Sequence, residues 1–278
     1  MKYEIKQKEI TIFCGDDEFD IEKTLTCGQI FSFKKDAENY FVFSCDKVAK
    51  VKKTAFGYSV ETENPEYFEN FFDLKTDYNA LNLSLLKLEP KFENIINFGK
   101  GIRILKQDKL ETIISFAISA NNNIERIKKT LFYIRENAGE RIENFYAFPT
   151  LEKLKALDES FFIKAGCGYR SRQLVSLVSQ LSQKFLTEDT SETEILRKKL
   201  MSFMGIGGKV ADCIMLFAYS KKDVFPVDTW IEKVYKQYFD AKENNREKMR
   251  NKLVEIFGEH SGYAQQLFFF FKRSLKWF

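Results

Sequence analysis

The first 63 residues carry apolar side chains in short alternating runs, which is the pattern of β-strands. Runs at residues 3–5, 10–12, 31–33, 40–43 and 48–51 are separated by polar segments that are typical of turns. We therefore predict an antiparallel sheet of several strands. Gly28 lies in one of these stretches, where a strand would place a side chain. Its position indicates either a bulge or turn, or a close backbone approach to a ligand.

From Pro65 onward the apolar spacing becomes helical. Leu110, Ile113, Ile114, Ala117 and Ile118 recur at i, i+3, i+4, i+7 and i+8, which predicts an amphipathic helix. Further helices are predicted at residues 67–74, 81–88, 124 onward, 150–157, 160–165, 210–219, 229–239, 244–257 and 262–276, with a long helix that opens within 166–172 and runs to about 185. The expected fold class is α+β, with an N-terminal antiparallel β-sheet domain packed on an all-helical region.

Residues 201–234 combine a glycine hairpin, a buried helix and a capped second helix. Glycine inside a helix costs about 1 kcal/mol relative to alanine, so the glycine-rich residues 204–208 predict a hairpin. Lys209 lies in the first turn of the next helix, which is apolar on nearly every side and whose dipole disfavours a cation there. Asp228 stands where a helix N-cap is expected.

Taken singly, Lys209 is a surface lysine and Asp228 a plain helix cap. The helix after Lys209 rises by about 15 Å, and the loop at residues 220–227 spans up to ~26 Å when extended. The loop is therefore long enough to bring Asp228 back beside Lys209, where an amine next to an apolar helix is a candidate nucleophile.

Composition excludes several classes of site. The net charge of +4 permits binding to nucleic acid without arguing for it. Five scattered cysteines, no signal peptide and no apolar run long enough to cross a bilayer indicate a reducing cytoplasm and no membrane partner. No Cys/His cluster predicts zinc or iron–sulfur binding, and His260 as the single histidine excludes histidine-based triads. The glycines at 99 and 101 lack the spacing of a phosphate loop.

Three polar stretches admit two interpretations each. Residues 121–123, all asparagine, suit a helix–helix corner or the presentation of polar side chains to a duplex. Tyr169, with arginines at 170 and 172, is either packed at a corner beside solvated arginines or placed to bind phosphate or stack on a base. The run of phenylalanines after Gln265 belongs mostly to the core, although one ring could line a cavity.

Six separated motifs, in this order, resemble a known enzyme family. They are residues 27–29, 119–126, 168–172, 205–213, 226–228 and 264–265. Together they resemble the 8-oxoguanine DNA glycosylase/AP lyases of the bacterial Ogg type, within the helix-hairpin-helix (HhH-GPD) DNA glycosylase superfamily. The likeness covers most of the chain.

The resemblance implies the layout and the reaction. Residues 1–98 would form a β-rich, TBP-like domain and residues 99–278 the helical region, with the HhH motif at about 195–220 and C-terminal helices at 229–278. Lys209 would attack C1′ of the damaged nucleotide and form a Schiff base, and β-elimination would follow. Asp228 would stabilise the cationic sugar of the transition state.

The resemblance also assigns the base pocket. Gly28 would offer its carbonyl to the N7 hydrogen that 8-oxoguanine has and guanine lacks. Gln265 would read the Watson–Crick edge, while Phe269 and Cys213 would enclose the ring.

The DNA contacts follow in the same way. Asn121 and Tyr169 would fill and wedge the gap left by the flipped base, and Arg126 and Arg170 would bond the orphaned cytosine. Phosphate would bind the hairpin amides at Gly205 and Gly207. The backbone carbonyls of Met201, Phe203 and Ile206 would hold a monovalent or divalent cation, with no other cofactor required. The expected partner is double-stranded DNA containing 8-oxoguanine, bound by a monomer.

Two rival functions remain open at this point. One is a glycosylase of the same fold for alkylated or other damaged purines, which needs only the aspartate and a water. The other is a non-catalytic HhH module, which would not need Lys209 and Asp228 together.

Overall fold

The computed structural model describes residues 1–188 and 192–275. An antiparallel six-stranded sheet has the order β1-β2-β6-β5-β4-β3. Its strands are β1 (Lys2–Lys6), β2 (Glu9–Phe13), β3 (Phe33–Asp36), β4 (Asn39–Ser44), β5 (Lys47–Thr54) and β6 (Gly57–Glu61). The predicted sheet and its turns are therefore confirmed.

Helices follow the sheet for most of the chain. They are α1 (Ile21–Thr26), α2 (Pro65–Phe71), α3 (Tyr78–Leu88), α4 (Glu93–Gly99), α5 (Lys109–Ser119), α6 (Ile124–Ala138), α7 (Leu151–Lys155), α8 (Glu159–Lys164), α9 (Arg170–Gln180), α10 (Gln183–Thr187), α11 (Thr193–Met201), α12 (Gly208–Ala218), α13 (Thr229–Tyr238), α14 (Arg246–Phe257) and α15 (Ser261–Ser274). A short hairpin pairs β7 (Arg141–Ile142) with β8 (Phe145–Tyr146).

Three groups of buried side chains hold these elements together. The sheet packs on α1 and α2 through residues such as Phe19 and Phe68. A second group joins α5, α6, α9, α11 and α12. The third joins α3 and α4 to α13, α14 and α15. Because Lys209 begins α12 and Asp228 caps α13, the candidate site lies where the second and third groups meet.

Gly28 lies in a turn, which was one of the two alternatives, but this turn follows a helix rather than a strand. Asp20 caps α1 by accepting from the Lys23 N–H at 2.9 Å, and α1 ends at Thr26, so Gly28 lies in the turn that follows. The six-residue α1 was missed because it lies between apolar runs that were all assigned to strands.

The long helix predicted up to residue 185 is divided. Leu181 leaves helical geometry with ψ of 142°, and Ser182 caps α10 by accepting from Phe185 N–H at 3.1 Å. A serine inside a helical pattern offers the backbone this alternative bond. α4 and the β7–β8 hairpin were also not predicted, and residue 276 of the last predicted helix lies outside the described residues.

Within residues 1–188 and 192–275, no helix is long and apolar enough to cross a membrane. The proposed division at residues 98 and 99 stays a prediction. Phe92, Ile95 and Ile96 already pack with the C-terminal helices.

Candidate active site

The hairpin between α11 and α12 positions Lys209. Gly205 adopts φ of +87°, a left-handed conformation that favours glycine. Gly207 is the N-cap of α12, and no side chain in the described part of the chain caps this helix. The first backbone N–H groups of α12 therefore stay available to an anion, as expected for the phosphate site at Gly205 and Gly207.

Lys209 is half-buried and faces apolar and thiol groups. Its Nζ lies 5.5 Å from the centre of the Phe116 ring, which is itself buried. The Lys209 charge also acts on the Cys213 thiol, four residues further along α12. Burial raises the pKa of Cys213 to about 11, and the Lys209 charge opposes that rise without overcoming it. Cys213 is therefore a neutral thiol beside the amine.

Asp228 caps α13 with one carboxylate oxygen. Its Oδ1 accepts from the backbone N–H groups of Trp230 and Ile231, each at 2.9 Å. Asp228 also acts on Cys213, where its negative charge raises the thiol pKa while that of Lys209 lowers it. The charges of Lys209 and Asp228 therefore both act on Cys213, as expected if the loop brings Asp228 back beside Lys209.

A buried ionic network lies beneath the lysine. The Asp212 carboxylate accepts from Arg197 Nε at 2.8 Å and from Arg250 Nε at 3.1 Å, which links α12 to α11 and α14. A Cβ added at Gly208 would lie 2.6 Å from Arg197 Nη2. Glycine at position 208 therefore lets the arginine pass directly under the residue that precedes Lys209.

Helix α15 lies beside the loop that precedes Asp228. Gln265 is buried and donates through Nε2 to the Pro226 carbonyl at 3.3 Å. Its Oε1 has no hydrogen-bond partner among the described residues. One turn along, Phe269 lies against Gly28, since a Cβ added at Gly28 would be 2.9 Å from the ring.

Two further residues of α15 were not anticipated from the sequence. Gln266 donates to the Cys27 carbonyl at 2.6 Å, and Arg273 donates through Nη2 to the Thr26 carbonyl. Only Arg273 had a signal in the sequence. It follows Gln265 by eight residues and Phe269 by four, so the three side chains form a single row on a helix.

The residues expected to meet the duplex cluster at the α5–α6 turn and the start of α9. Asn121 is exposed with φ of +49°, and Tyr169 is 65% exposed. Arg126 is exposed and donates to the Gly166 carbonyl at 3.2 Å. Arg170 is instead buried and donates to the Ala120 carbonyl and, at 2.9 Å, to the Asn121 carbonyl. Arg170 therefore shapes the Asn121 turn.

The three carbonyls expected at the hairpin cation come from the end of α11 and the turn after it. Met201 is exposed at the end of α11, and the Phe203 carbonyl accepts from the Ile206 N–H at 3.2 Å. In the part of the chain that the structure describes, no group of three or more His, Cys, Asp or Glu side chains is arranged to hold a metal ion.

Comparison with known proteins covers nearly the whole chain. Residues 11–113 match the 8-oxoguanine DNA glycosylase N-terminal domain, and residues 114–259 match the HhH-GPD superfamily of base excision DNA repair proteins. The structure of Clostridium acetobutylicum 8-oxoguanine glycosylase/lyase, in complex with duplex DNA containing cytosine opposite 8-oxoguanine, superimposes with a TM-score of 0.91. It is 32% identical in sequence, and the match covers 99% of each chain.

Curated relatives agree over part of their length. The Arabidopsis thaliana N-glycosylase/DNA lyase OGG1 is 32% identical over 66% of this chain and 55% of the relative. The Saccharomyces cerevisiae N-glycosylase/DNA lyase is 30% identical over 61% of this chain and 56% of the relative. The chain thus spans about half the length of these curated relatives. By both domain matches and the full-length structural match, this chain belongs to the 8-oxoguanine DNA glycosylase family of the HhH-GPD superfamily.

Proposed function

We propose that this protein excises 8-oxoguanine from duplex DNA and then cleaves the strand as an AP lyase. The observation that carries the proposal is that the charges of Lys209 and Asp228 both act on Cys213, while the buried Gln265, bonded to the Pro226 carbonyl two residues before Asp228, keeps an unpartnered acceptor. An amine, a carboxylate and a purine-reading amide in one place are what this reaction needs.

The chemistry follows from these groups. The Lys209 Nζ lone pair attacks C1′, and the C1′–N9 electron pair leaves on the base, which takes up a proton while the new C–N ammonium releases one. Asp228 stabilises the positive charge that develops on the sugar before the new bond is complete. The sugar then opens to a Schiff base, and loss of a C2′ proton expels the 3′ phosphate by β-elimination.

Base recognition divides between Gln265 and Gly28. The N1 and N2 positions of an 8-oxoguanine are hydrogen-bond donors, and the buried Gln265 Oε1 supplies an acceptor for them. Gly28 offers its carbonyl to N7–H. The base would stand between Phe269 and Cys213, so the Phe269 ring must first move away from its contact with Gly28.

The duplex would be held at three places. Asn121 and Tyr169 occupy the gap left by the flipped base, whose extrusion costs a few kcal/mol. Arg126, now bonded to the Gly166 carbonyl, donates to the opposing cytosine. Arg170 also donates to the cytosine once it releases its hydrogen bond to the Asn121 carbonyl. The α12 N-terminus binds phosphate, with a cation at the carbonyls of Met201, Phe203 and Ile206 as the finer proposal.

Borohydride trapping on a duplex with 8-oxoguanine opposite cytosine tests the reaction. We expect a covalent adduct with the unaltered protein and with Lys198→Gln, which changes an exposed lysine of α11, the helix before the hairpin. Lys209→Gln should bind the duplex and give neither adduct nor free base.

Other outcomes identify the rivals. Base release without an adduct would mean a water-using glycosylase in which Asp228 acts alone. Release of alkylated purines but not of 8-oxoguanine would favour the alkyl-base enzyme. Binding without release of any base would favour the non-catalytic module.

A further inference from the structure

A row of three side chains runs along α15 beside the candidate pocket. Gln265, Phe269 and Arg273 are spaced at i, i+4 and i+8, so they lie on one face over a rise of about 12 Å. Gln265 is at the end nearest Pro226, and Phe269 lies in the middle against Gly28. A purine lying along this row with its Watson–Crick edge at Gln265 would direct its C8 edge toward Arg273.

The same helix face occupies two carbonyls of the turn before Gly28. Arg273 Nη2 donates a hydrogen bond to the Thr26 carbonyl, and Gln266 Nε2 donates one to the Cys27 carbonyl at 2.6 Å. Across residues 1–188 and 192–275, no hydrogen bond to the next carbonyl, that of Gly28, is formed. Two carbonyls of the turn are therefore fixed by α15, and the third keeps its acceptor free among the described residues.

Arg273 keeps a second donor at the same place. Its Nη1 is buried with no hydrogen-bond partner in the described residues, and it lies 3.2 Å from where a Cβ of Gly28 would be. Burial lowers the pKa of Arg273, and the nearby Asp228 carboxylate opposes this fall. A guanidinium nevertheless stays protonated in proteins. A buried N–H without an acceptor costs free energy, so it indicates an acceptor that arrives with the ligand.

The free acceptor and the free donor match one edge of the lesion. 8-Oxoguanine presents N7–H as a donor next to O8 as an acceptor, whereas guanine presents N7 as an acceptor next to a C8–H. We propose that Arg273 is a further specificity-determining residue, whose Nη1–H donates to O8 while the Gly28 carbonyl accepts from N7–H. This inference rests on the proposed excision of 8-oxoguanine and adds the reader of the C8 oxygen.

Arg273→Lys distinguishes the two hydrogen-bonding nitrogens of the arginine, Nη1 and Nη2. A lysine keeps the charge and a bond to the Thr26 carbonyl, but it cannot also donate at the Nη1 position. We expect kcat/KM for 8-oxoguanine excision to fall about 10- to 100-fold, the worth of one hydrogen bond from a charged donor. Nicking of a duplex with a preformed abasic site involves no base and should stay within about twofold of the unaltered protein.

Gln266→Met is the matched control. It removes the hydrogen bond to the neighbouring Cys27 carbonyl, but Gln266 places no free donor beside Gly28. Binding is compared on non-cleavable 2′-fluoro duplexes with 8-oxoguanine or guanine opposite cytosine. Arg273→Lys should weaken only the 8-oxoguanine complex, whereas Gln266→Met should change both complexes by the same factor.

Equal losses on both duplexes with Arg273→Lys would overturn the contact to O8, as would unchanged excision. Absence of 8-oxoguanine release by the unaltered protein would instead overturn the proposed function itself.

Discussion

Gly28 combines two constraints in one residue. Its φ of +88° is disfavoured for every residue with a Cβ, and the added carbon would lie 2.9 Å from Phe269 and 3.2 Å from Arg273. Both neighbours belong to the proposed base pocket. A side chain here would therefore disturb the backbone carbonyl, the sandwiching ring and the arginine together.

Gly28→Ala should lower 8-oxoguanine excision by at least about tenfold, since the strained φ alone costs roughly 1–2 kcal/mol. Single-turnover excision and trapping on an abasic duplex, measured together, check this expectation. The abasic reaction should change little, because it needs Lys209 rather than the base pocket. Gly15→Ala is the control, since an added Cβ meets nothing within 4 Å there. Excision at the unaltered rate by Gly28→Ala would refute the role of this turn.

Sequence alone could nominate Lys209, Asp228 and Gly28, because glycine, capping and spacing patterns are local. The spacing of Arg273 on α15 was visible, but its role and that of Gln266 were not, since their partners are backbone carbonyls in a stretch that was assigned to the sheet. Arg170 shows the same limit. Its place in the motif suggested contact with DNA, and only the folded chain shows its bonds to the turn at residues 120 and 121.

Helices α11, α12 and α14 are joined by charges rather than by apolar contact alone. Arg197 and Arg250 converge on Asp212, and Arg197 also pairs with Glu247 at 2.7 Å. Burial raises the pKa of Asp212 to about 6, and the two arginines oppose that rise. Removing Arg197 therefore moves the pKa of Asp212 further upward.

Arg197→Met should destabilise the fold by about 3 kcal/mol at pH 8, the usual cost of breaking a buried pair. An acid whose pKa is higher in the folded state than its unfolded value of about 3.9 takes up a proton on folding, so stability falls as pH rises through this range. In the variant this fall extends above pH 6, so the deficit should be smaller at pH 5 than at pH 8. Urea unfolding at both pH values measures it.

Arg246→Met provides the comparison for Arg197→Met. Arg246 pairs with Glu232 at 3.0 Å but is 50% exposed, so its loss should cost less than about 1 kcal/mol at either pH. A deficit for Arg197→Met that is small, or that does not vary with pH, would contradict the role of the buried network.

Element boundaries followed from sequence wherever periodicity was strong. α5 and α6 appear where the apolar spacing placed them, as do α13 to α15 in the described residues. α1 was missed because it lies in the stretch that was assigned to strands, and α4 was not predicted either, although the equally short α7 and α8 were. Tertiary contacts, which stabilise such short helices, are not visible in local sequence.

The residues that we propose contact the duplex lie on elements that are far apart in the chain. Arg126 lies exposed at the start of α6, beside the turn that Arg170 holds. Arg126→Ala should therefore relax the preference for cytosine opposite the lesion, since a good base contact is worth about 1–3 kcal/mol. Excision rates with each of the four bases opposite 8-oxoguanine measure this. Arg172→Ala, an exposed arginine on α9, should lower all four rates by one factor or none. An unaltered cytosine preference in Arg126→Ala would remove Arg126 from this role.

The α+β architecture was predictable because alternation gave way to helical spacing at Pro65. The way in which the sheet attaches to the helices was not predictable from the sequence. Glu111 of α5 bonds Arg135 of α6, Ser32 and the Cys45 N–H, so one buried carboxylate ties the helical region to the sheet. Nothing in the local pattern marks a glutamate inside an amphipathic helix as such an anchor.

The bond between Arg273 and Thr26 joins residues 247 positions apart. On a translating ribosome, at about 5–20 residues per second, the turn that carries Gly28 emerges roughly 12–50 s before the arginine that completes it. Lys209 and Asp228 emerge between the two. On the proposed function, a nascent chain therefore contains its nucleophilic amine before the arginine that we propose recognises the lesion, and it becomes selective only when α15 docks.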